Sequence, residues 1–207
     1  MSAWARQHPG NSHLTVTFLQ RDMFYRKIDN DLKIGLSLPQ YAEEMFALTD
    51  RNRRHLRAWL PWLDSIQKPE DTKSFIQLQL KRFADGEAMH LSIFFKNDLA
   101  GVLAYNKLDH LNGIGHLGYW LGEEYVGKGI MTKSVREVID LGFTNWPLQK
   151  IEIHCAVDNL KSRAIPEKLG FQNEGTIRRT AKVYESYQDH SVYGLLREEY
   201  LDNHNLP

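Results

Sequence analysis

The spacing of hydrophobic and polar residues predicts a chain in which strands and helices alternate. Runs of strand type lie at 32–38, 89–96, 99–106, 115–121, 150–157, 171–178 and 190–196. Apolar residues with helical spacing lie at 39–50, 71–86 and 130–145, and in a further segment that ends at 169. Three consecutive strands in the middle of this order favour a mixed α/β sheet flanked by helices.

Length and local pattern together indicate one domain. The chain has 207 residues, which suits a single domain with a small appendage. Residues 1–22 contain one strand candidate, at 14–19, and otherwise show no periodicity. We therefore expect a loose N-terminal extension over 1–22 and a single domain over 23–207.

Charge and cysteine content exclude several classes of protein. Basic and acidic residues number 26 each, and the resulting net charge of zero argues against nucleic acid or a membrane as partner. The single cysteine, Cys155, leaves no intramolecular disulfide and fits a reducing compartment. No apolar run reaches the roughly 18 residues of a membrane span, and the N-terminus lacks the apolar core of a signal peptide. A soluble cytoplasmic protein is expected.

The stretch 118–133 passes from a strand through a glycine-bearing loop into a helix. Gly127 and Gly129 remove side chains that would keep a ligand away from the backbone. The first N–H groups of the helix, near 130–133, lack partners within the helix and can bind an anion. This design suits a phosphate group, although two glycines with this spacing are equally compatible with an ordinary turn before a helix.

A second stretch, 158–171, makes the pattern more specific, because it follows a strand and adds polar residues beside the loop. The features that resemble the GNAT superfamily of N-acetyltransferases are Gly-Tyr-Trp-Leu at 118–121, Gly-Lys-Gly-Ile-Met-Thr at 127–132, Asn159 and Ser162 spaced as Asn-x-x-Ser, and Leu-Gly-Phe at 169–171. More narrowly, the chain resembles the branch that acetylates the N-termini of ribosomal proteins. The resemblance runs from about 32 to 200.

The resemblance implies the GNAT fold and acetyl-CoA as the acetyl donor, with no metal. In that fold the fourth and fifth strands, here 115–121 and 150–157, run parallel and splay apart to form the acetyl-CoA cleft. The implied pyrophosphate ligands are the backbone groups of Val126, Gly127, Lys128, Gly129, Ile130, Met131 and Thr132. Val126 replaces a usual Gln or Arg, and Met131 replaces a usual Gly or Ala. Backbone donation survives both changes.

The resemblance also assigns roles to polar groups around the thioester. A backbone N–H near Trp120 or Leu121 is expected to bond the thioester oxygen and to stabilise an oxyanion. Asn159 is expected to bond the pantetheine arm, with a loop cap as the alternative reading. Ser162 is expected to protonate the departing thiolate, and Pro166 four residues later also makes Ser162 a candidate helix N-cap.

The proton acceptor is the least determined part of the predicted site. Several relatives carry a glutamate on the fourth strand where this chain has His116, and others carry one between the last two strands, where this chain has Ala181. His116 shares a strand face with Trp120 and is a candidate base. The alternatives are a strand histidine without a catalytic role and a water chain that reaches Glu185, Asp189 or bulk solvent.

These expectations describe an enzyme that moves an acetyl group from acetyl-CoA to a primary amine. The favoured acceptor is a protein N-terminal α-amine such as that of a ribosomal protein. The alternatives are a small-molecule amine (an aminoglycoside, a polyamine or an amino acid) and a non-catalytic CoA-binding module that regulates a partner. A homodimer is compatible with the resemblance. Trp59 and Trp62, clustered around a proline, are candidates for a pocket wall.

Overall fold

The computed structural model describes residues 25–204. The strands are Tyr25–Lys27 (β1), Leu32–Leu36 (β2), Met89–Phe95 (β3), Asp98–Asp109 (β4), Ile114–Leu121 (β5), Lys150–Ala156 (β6), Gln172–Val183 (β7) and Ser186–Leu196 (β8). The α-helices are Ala42–Arg51 (α1), Arg53–Leu56 (α2), Pro69–Ala84 (α3), Ile130–Asn145 (α4), Leu160–Lys168 (α5) and Arg197–His204 (α6). The predicted extension over 1–22, its strand candidate and the domain start at 23 lie outside the described residues.

All eight strands belong to one sheet, in the order β1-β2-β3-β4-β5-β6-β8-β7. Neighbouring strands are antiparallel except β5 and β6, which are parallel and are joined through α4. A parallel pair needs a long crossover, and the helix between these strands supplies it. This mixed sheet confirms the predicted fold class.

The parallel pair separates halfway along its length. Pairing between β5 and β6 runs from Ile114 with Lys150 to Leu117 with Ile153 and then stops. Both strands continue beyond this point, and β4 stays paired with β5 as far as Leu121. One edge of β5 therefore faces a gap, which is the splayed arrangement that the resemblance implied.

The sheet is covered by helices on both faces. On one face, Val135, Val138 and Phe143 of α4 pack against residues such as Leu117 and Ile153 of the parallel pair. On the other face, a smaller cluster forms around α1 and α3, and its buried members include Met45, Leu48, Ile76, Phe94 and Val102. Side chains alternate along a strand. The residues next to Leu117 on β5 and next to Ile153 on β6 therefore face the α1 and α3 side.

Several element bounds differ from the sequence expectation. β1 was not predicted, because Tyr25–Lys27 is too short to show any alternation. β7 and β8 are longer than predicted, since nearly all of β7 is exposed and carries no apolar period. Their antiparallel pairing is as predicted. α3 begins at Pro69, two residues before the predicted start, where the Asp71 carboxylate accepts hydrogen bonds from the backbone at its N-terminus.

The predicted N-cap role of Ser162 is wrong. α5 begins at Leu160, and the side chain of Asn159 caps it by accepting a 3.1 Å hydrogen bond from the N–H of Ser162. Pro166 consequently lies well inside the helix and not in its first turn. The prediction failed because it took the proline to mark the first turn, whereas the packed structure tolerates one missing backbone hydrogen bond there.

Candidate functional site

A cavity of about 650 Å³ opens where β5 and β6 separate. We call it the loop cavity, because the glycine loop at Val126, Gly127 and Gly129 forms one wall. Gly127 and Gly129 have φ angles of +80° and +74°, in the left-handed region that favours glycine. A Cβ atom at either glycine would have no neighbour within 4 Å, so this backbone is open to the cavity.

The predicted cofactor residues assemble around this loop cavity. Those that line it are Trp120, Leu121, Val126, Gly127, Gly129, Ile130, Met131, Thr132, Asn159 and Ser162. Lys128 is the exception, with its Nζ atom 5.7 Å from the centroid of the Tyr125 ring. Lys133 forms a 2.7 Å ion pair with Asp29 and thereby lowers the pKa of that carboxyl group. The loop therefore presents its backbone to the cavity, and Lys128 does not line it. The predicted donor at Val126 is wrong, because its N–H already donates a 3.2 Å hydrogen bond to the carbonyl oxygen of Glu123.

Asn52 holds the turn that precedes the glycine loop. The sequence pattern did not indicate that Asn52 lies there. The Oδ1 atom of this buried residue accepts a 2.8 Å hydrogen bond from the N–H of Glu123. Its Nδ2 atom donates to the carbonyl oxygen of Leu48 and to the carboxylate of Glu124. The contact joins the end of α1 to a turn 71 residues later, a separation at which no local motif could have linked them.

Ser162 lies in the first turn of α5, at the edge of the loop cavity. Its Oγ atom is 3.2 Å from the Sγ atom of Cys155 on β6. Burial raises the pKa of the Cys155 thiol, which keeps it protonated and argues against a role as nucleophile. The Asn159 cap uses the N–H of Ser162, so the serine hydroxyl is not engaged in capping.

A second cavity, of about 540 Å³, lies on the α1 and α3 side of the sheet. We call it the histidine cavity, because His90 and His154 line it. Leu60, Tyr119 and Trp120 line both cavities. The two cavities therefore meet at β5, beside the point where the parallel strands separate.

Two of the three tryptophans near this junction were predicted to form a pocket wall, and both do so. Trp62 lines the histidine cavity, and Trp59 lines the loop cavity. The ring of Trp62 is 6.5 Å from the ring of Trp120, in a tilted arrangement. Trp62 and Trp120 thus form an aromatic pair beside the junction of the two cavities.

The histidine cavity has polar groups but little charge. His90 is buried, its Nδ1 atom is 2.8 Å from Ser37 Oγ, and burial lowers its pKa to about 4. Arg82 contributes the one arginine, and it donates a 2.9 Å hydrogen bond to the carbonyl oxygen of Asn106. Within residues 25–204, no carboxylate side chain belongs to the lining. The cavity thus suits a ligand without several positive charges.

His116 lies on β5 outside the lining of either cavity, next to two side chains of β6. Its Nδ1 atom is 3.4 Å from Glu152 Oε2, which is also 3.2 Å from Nε2 of His154. Burial lowers the pKa of His116, although Glu152 partly opposes that shift. The sequence pattern indicated His116 on β5 but not His154 on β6, because the period of each strand alone does not show which side chains of β5 and β6 lie side by side.

His116, Glu152 and His154 are all of residue types that bind metal ions. Their ligand atoms all lie within 4.8 Å of one another, a spacing near that of transition-metal sites. However, the ammonium group of Lys150 is 2.8 Å from Glu152 Oε1 and already neutralises the carboxylate. We therefore interpret the group as a hydrogen-bonded ionic cluster.

Splayed parallel strands, a glycine loop at a helix N-terminus and two cavities that meet between them define the cleft of a group-transfer enzyme. A sequence model of the acetyltransferase (GNAT) domain matches residues 36–172, and the chain belongs to this family. Within residues 25–204, no helix combines the length and apolar character that a membrane span requires.

Relatives cover most of the chain. It is 31% identical over 179 residues to the putative ribosomal N-acetyltransferase YdaF of Bacillus subtilis (strain 168), a match that covers 86% of this chain and 98% of that protein. It is 27% identical over 167 residues to the ribosomal-protein-serine acetyltransferase of Escherichia coli (strain K12), covering 81% and 93%. The crystal structure of the microcin C7 self-immunity acetyltransferase MccE, in complex with acetyl-CoA and AMP, superposes with a TM-score of 0.79 at 28% identity and covers 82% and 94%.

Proposed function

We propose that this GNAT acetyltransferase transfers the acetyl group of acetyl-CoA to the α-amine of a protein N-terminus, and that the acceptor is a ribosomal protein. The names of two relatives support this acceptor class. The donor follows from the family, and acetyl-CoA is bound in the related MccE crystal structure. Transfer takes place directly between the two substrates in a ternary complex.

The observation that carries the proposal is the meeting of two cavities at Tyr119 and Trp120. The loop cavity holds acetyl-CoA, and the histidine cavity admits the acceptor from the opposite face of the sheet. The described lining of the histidine cavity has no carboxylate, which disfavours polyamines and aminoglycosides because these polycations need opposite charge nearby. A single α-amine on an otherwise neutral segment fits better.

The donor is held mainly by backbone groups. The pyrophosphate binds the N–H groups of the loop from Gly127 to Thr132, at the positive end of the α4 dipole. Lys128 adds charge at the rim. The pantetheine amides pair with the free edge of β5 as an added strand would, and Asn159 bonds them from the other side. An N–H at Trp120 or Leu121 stabilises the oxyanion of the tetrahedral intermediate.

Two side chains complete the chemistry. Ser162 donates a proton to the departing CoA thiolate, and its position at the edge of the loop cavity supports this role. His116 lines neither cavity, so it takes up the proton that the ammonium group of the acceptor must lose without touching the acceptor, and it passes this proton to solvent. The lowered pKa of His116 keeps its ring neutral, and therefore ready to accept a proton, at pH 7.

The proposed acceptor can be tested by competition. The enzyme is incubated with acetyl-CoA and a mixture of peptides with free N-termini, the same peptides with blocked N-termini and an internal lysine, spermidine and an aminoglycoside. We expect mass spectrometry to find acetyl groups on free α-amines. Preferred acetylation of spermidine or the aminoglycoside would contradict the acceptor class. Absence of thiol release with every amine would instead support the non-catalytic CoA-binding alternative.

A further inference from the structure

His154 lies closer to the proposed acceptor position than His116 does. It is the first residue of β6 after the last parallel pair, Leu117 with Ile153, so it lies where the gap opens. It lines the histidine cavity together with Gly118 and Trp120 of β5, whereas His116 does not. The side chain of His154 is about one-third exposed, and Glu152 engages it through Nε2.

Glu152 connects the two histidines. It lies two residues before His154, on the same face of β6, and opposite His116 in the parallel register. Its Oε2 atom lies between His154 Nε2, at 3.2 Å, and His116 Nδ1, at 3.4 Å. The side chain is only 14% exposed, so these distances are set by packed backbone and not by a mobile surface chain.

The charge of Glu152 is maintained by its other partners. Burial would raise its pKa, but hydrogen bonds from Lys150 and His154 outweigh burial and lower the pKa. Lys150 is itself shared with Glu174, at 2.6 Å. An ionised carboxylate that accepts from an imidazole N–H stabilises the protonated ring, as the acidic partner of a catalytic histidine does.

We propose that His154 is the group that first accepts the proton of the incoming amine, that Glu152 orients the His154 ring, and that His116 delivers the proton to solvent. The inference rests on the proposed amine acetylation and names the residue that contacts the acceptor. With Nε2–H of His154 directed at Glu152, Nδ1 is the atom that faces the amine.

The proton balance of this path is complete. An N–H bond of the ammonium group breaks, and a new bond forms at Nδ1 of His154. Nε2–H stays directed at the ionised Glu152, which stabilises the His154 imidazolium. The imidazolium then gives up the same Nδ1 proton, through water, to His116, whose ring centroid is 6.2 Å away. His116, one-third exposed, then releases a proton to water, and the neutral amine attacks the thioester. No oxidant, metal or further reactant is needed.

Other titratable groups surround the path and shape its pH dependence. The charged or titratable neighbours of the two histidines are Lys107 and Asp109 on β4, Lys150 on β6, Glu174 on β7, and Asp189 and His190 on β8. Of these, His190 is the natural control, because it is close enough to influence His154 electrostatically but lines neither cavity.

The test compares kcat/KM from pH 6 to pH 9.5 for the wild type and for His154→Ala, Glu152→Gln and His190→Ala. It is run with an α-amine peptide and with every other amine that the wild type acetylates. We expect His154→Ala to lose about 10²-fold at pH 7. This defect should shrink as pH rises past about 8, where an α-amine loses its proton unaided. CoA affinity, measured by calorimetry, should not change.

The remaining variants separate proton transfer from a structural effect. Glu152→Gln should lower kcat/KM at pH 7, and the double variant with His154→Ala should be no worse than His154→Ala alone, because the two act as a unit. His190→Ala should retain wild-type rates. A His154→Ala enzyme with the wild-type rate at pH 7, or with a defect of equal size at every pH, would overturn the inference. Any amine acceptor must lose a proton before it attacks the thioester. The comparison of the variants can therefore still be made with another amine if the ribosomal acceptor proves wrong.

Discussion

The phenolic hydroxyl of Tyr119 donates a 2.9 Å hydrogen bond to the backbone carbonyl oxygen of Ser162. In a regular α-helix this carbonyl would accept from the N–H of residue 166, but Pro166 has no N–H. The tyrosine on β5 thus supplies the partner that the proline removes from α5. Burial raises the pKa of Tyr119 well above its ordinary value, so the hydroxyl remains a donor throughout the working pH range.

Tyr119→Phe should weaken both stability and catalysis. The Ser162 carbonyl would lose its partner, at a cost of about 1–3 kcal/mol in the free energy of unfolding. Because the contact also fixes α5 against β5, we expect a lower kcat with little change in the affinity for acetyl-CoA. Denaturant unfolding and steady-state kinetics measure the two effects. Tyr187→Phe, at an exposed position of β8, is the matched control. If both variants had the same unfolding free energy and the same kcat, the hydrogen bond from Tyr119 to Ser162 would have no role in stability or catalysis.

The glycine loop can be tested with two side chains of the same shape. Asn and Asp both tolerate the left-handed conformation of Gly129, and the space around its Cβ position is open. Gly129→Asn should therefore retain most CoA affinity, whereas Gly129→Asp should lose about 10²-fold or more through repulsion of the phosphates. Calorimetric titration with CoA gives both constants. Similar constants for Asn and Asp would argue against an anion at this loop.

Ser162 and Asn159 should now give separable effects. Ser162→Ala should lower kcat by about 10²-fold with unchanged affinity for acetyl-CoA, since thiolate protonation matters in the transition state. It should not lose cap stability, because Asn159 caps α5. Asn159→Ala should instead lose about 1 kcal/mol of unfolding free energy. A folded Ser162→Ala enzyme with wild-type kcat would remove the general-acid role.

Loss of His116 should lower the rate less than loss of His154 does. It should change the pH dependence of the rate more. We expect the wild-type rate to fall as pH drops below about 6.5, and we expect His116→Gln to lower kcat/KM at pH 7 and to remove that fall. Since burial lowers the pKa of His116, that fall lies below the ordinary histidine value. A pH–rate profile measured with saturating acetyl-CoA shows directly whether the rate falls at low pH. An unchanged profile would dismiss His116 from the proton path.

His90 should make the folded state sensitive to mild acid. Its pKa is about 4 in the folded protein and about 6.5 when unfolded, so the unfolded chain binds the proton first as pH falls. Stability is complete above pH 6.5 and declines between 6.5 and 4, by on the order of 3 kcal/mol. Denaturant unfolding at several pH values should show this loss in the wild type. In His90→Asn the loss of unfolding free energy between pH 6.5 and 4 should be smaller by that amount. An equal pH dependence of stability in the two proteins would contradict the low pKa of His90.

The parts of this protein whose chemistry is local follow from its amino-acid sequence alone. Gly127, Gly129 and the start of α4 lie within a few residues, and both glycines adopt the conformation that glycine favours. The succession of strands along the chain also followed from local periods, except for β1, which is too short, and for the full length of β7, which is exposed on both faces. Each of these features depends on interactions within a single turn or a single strand, which the local sequence contains.

Contacts between distant side chains follow from the packed fold and from no local pattern. Asn52 reaches Glu123, Tyr119 reaches Ser162, and Lys133 is neutralised by Asp29, all across long stretches of chain. The same holds for the proton path. One residue of shift between β5 and β6 would take Glu152 away from His116, because alternate side chains face opposite sides of a sheet. That register depends on the packing of α4 beneath both strands, which no single stretch of sequence contains.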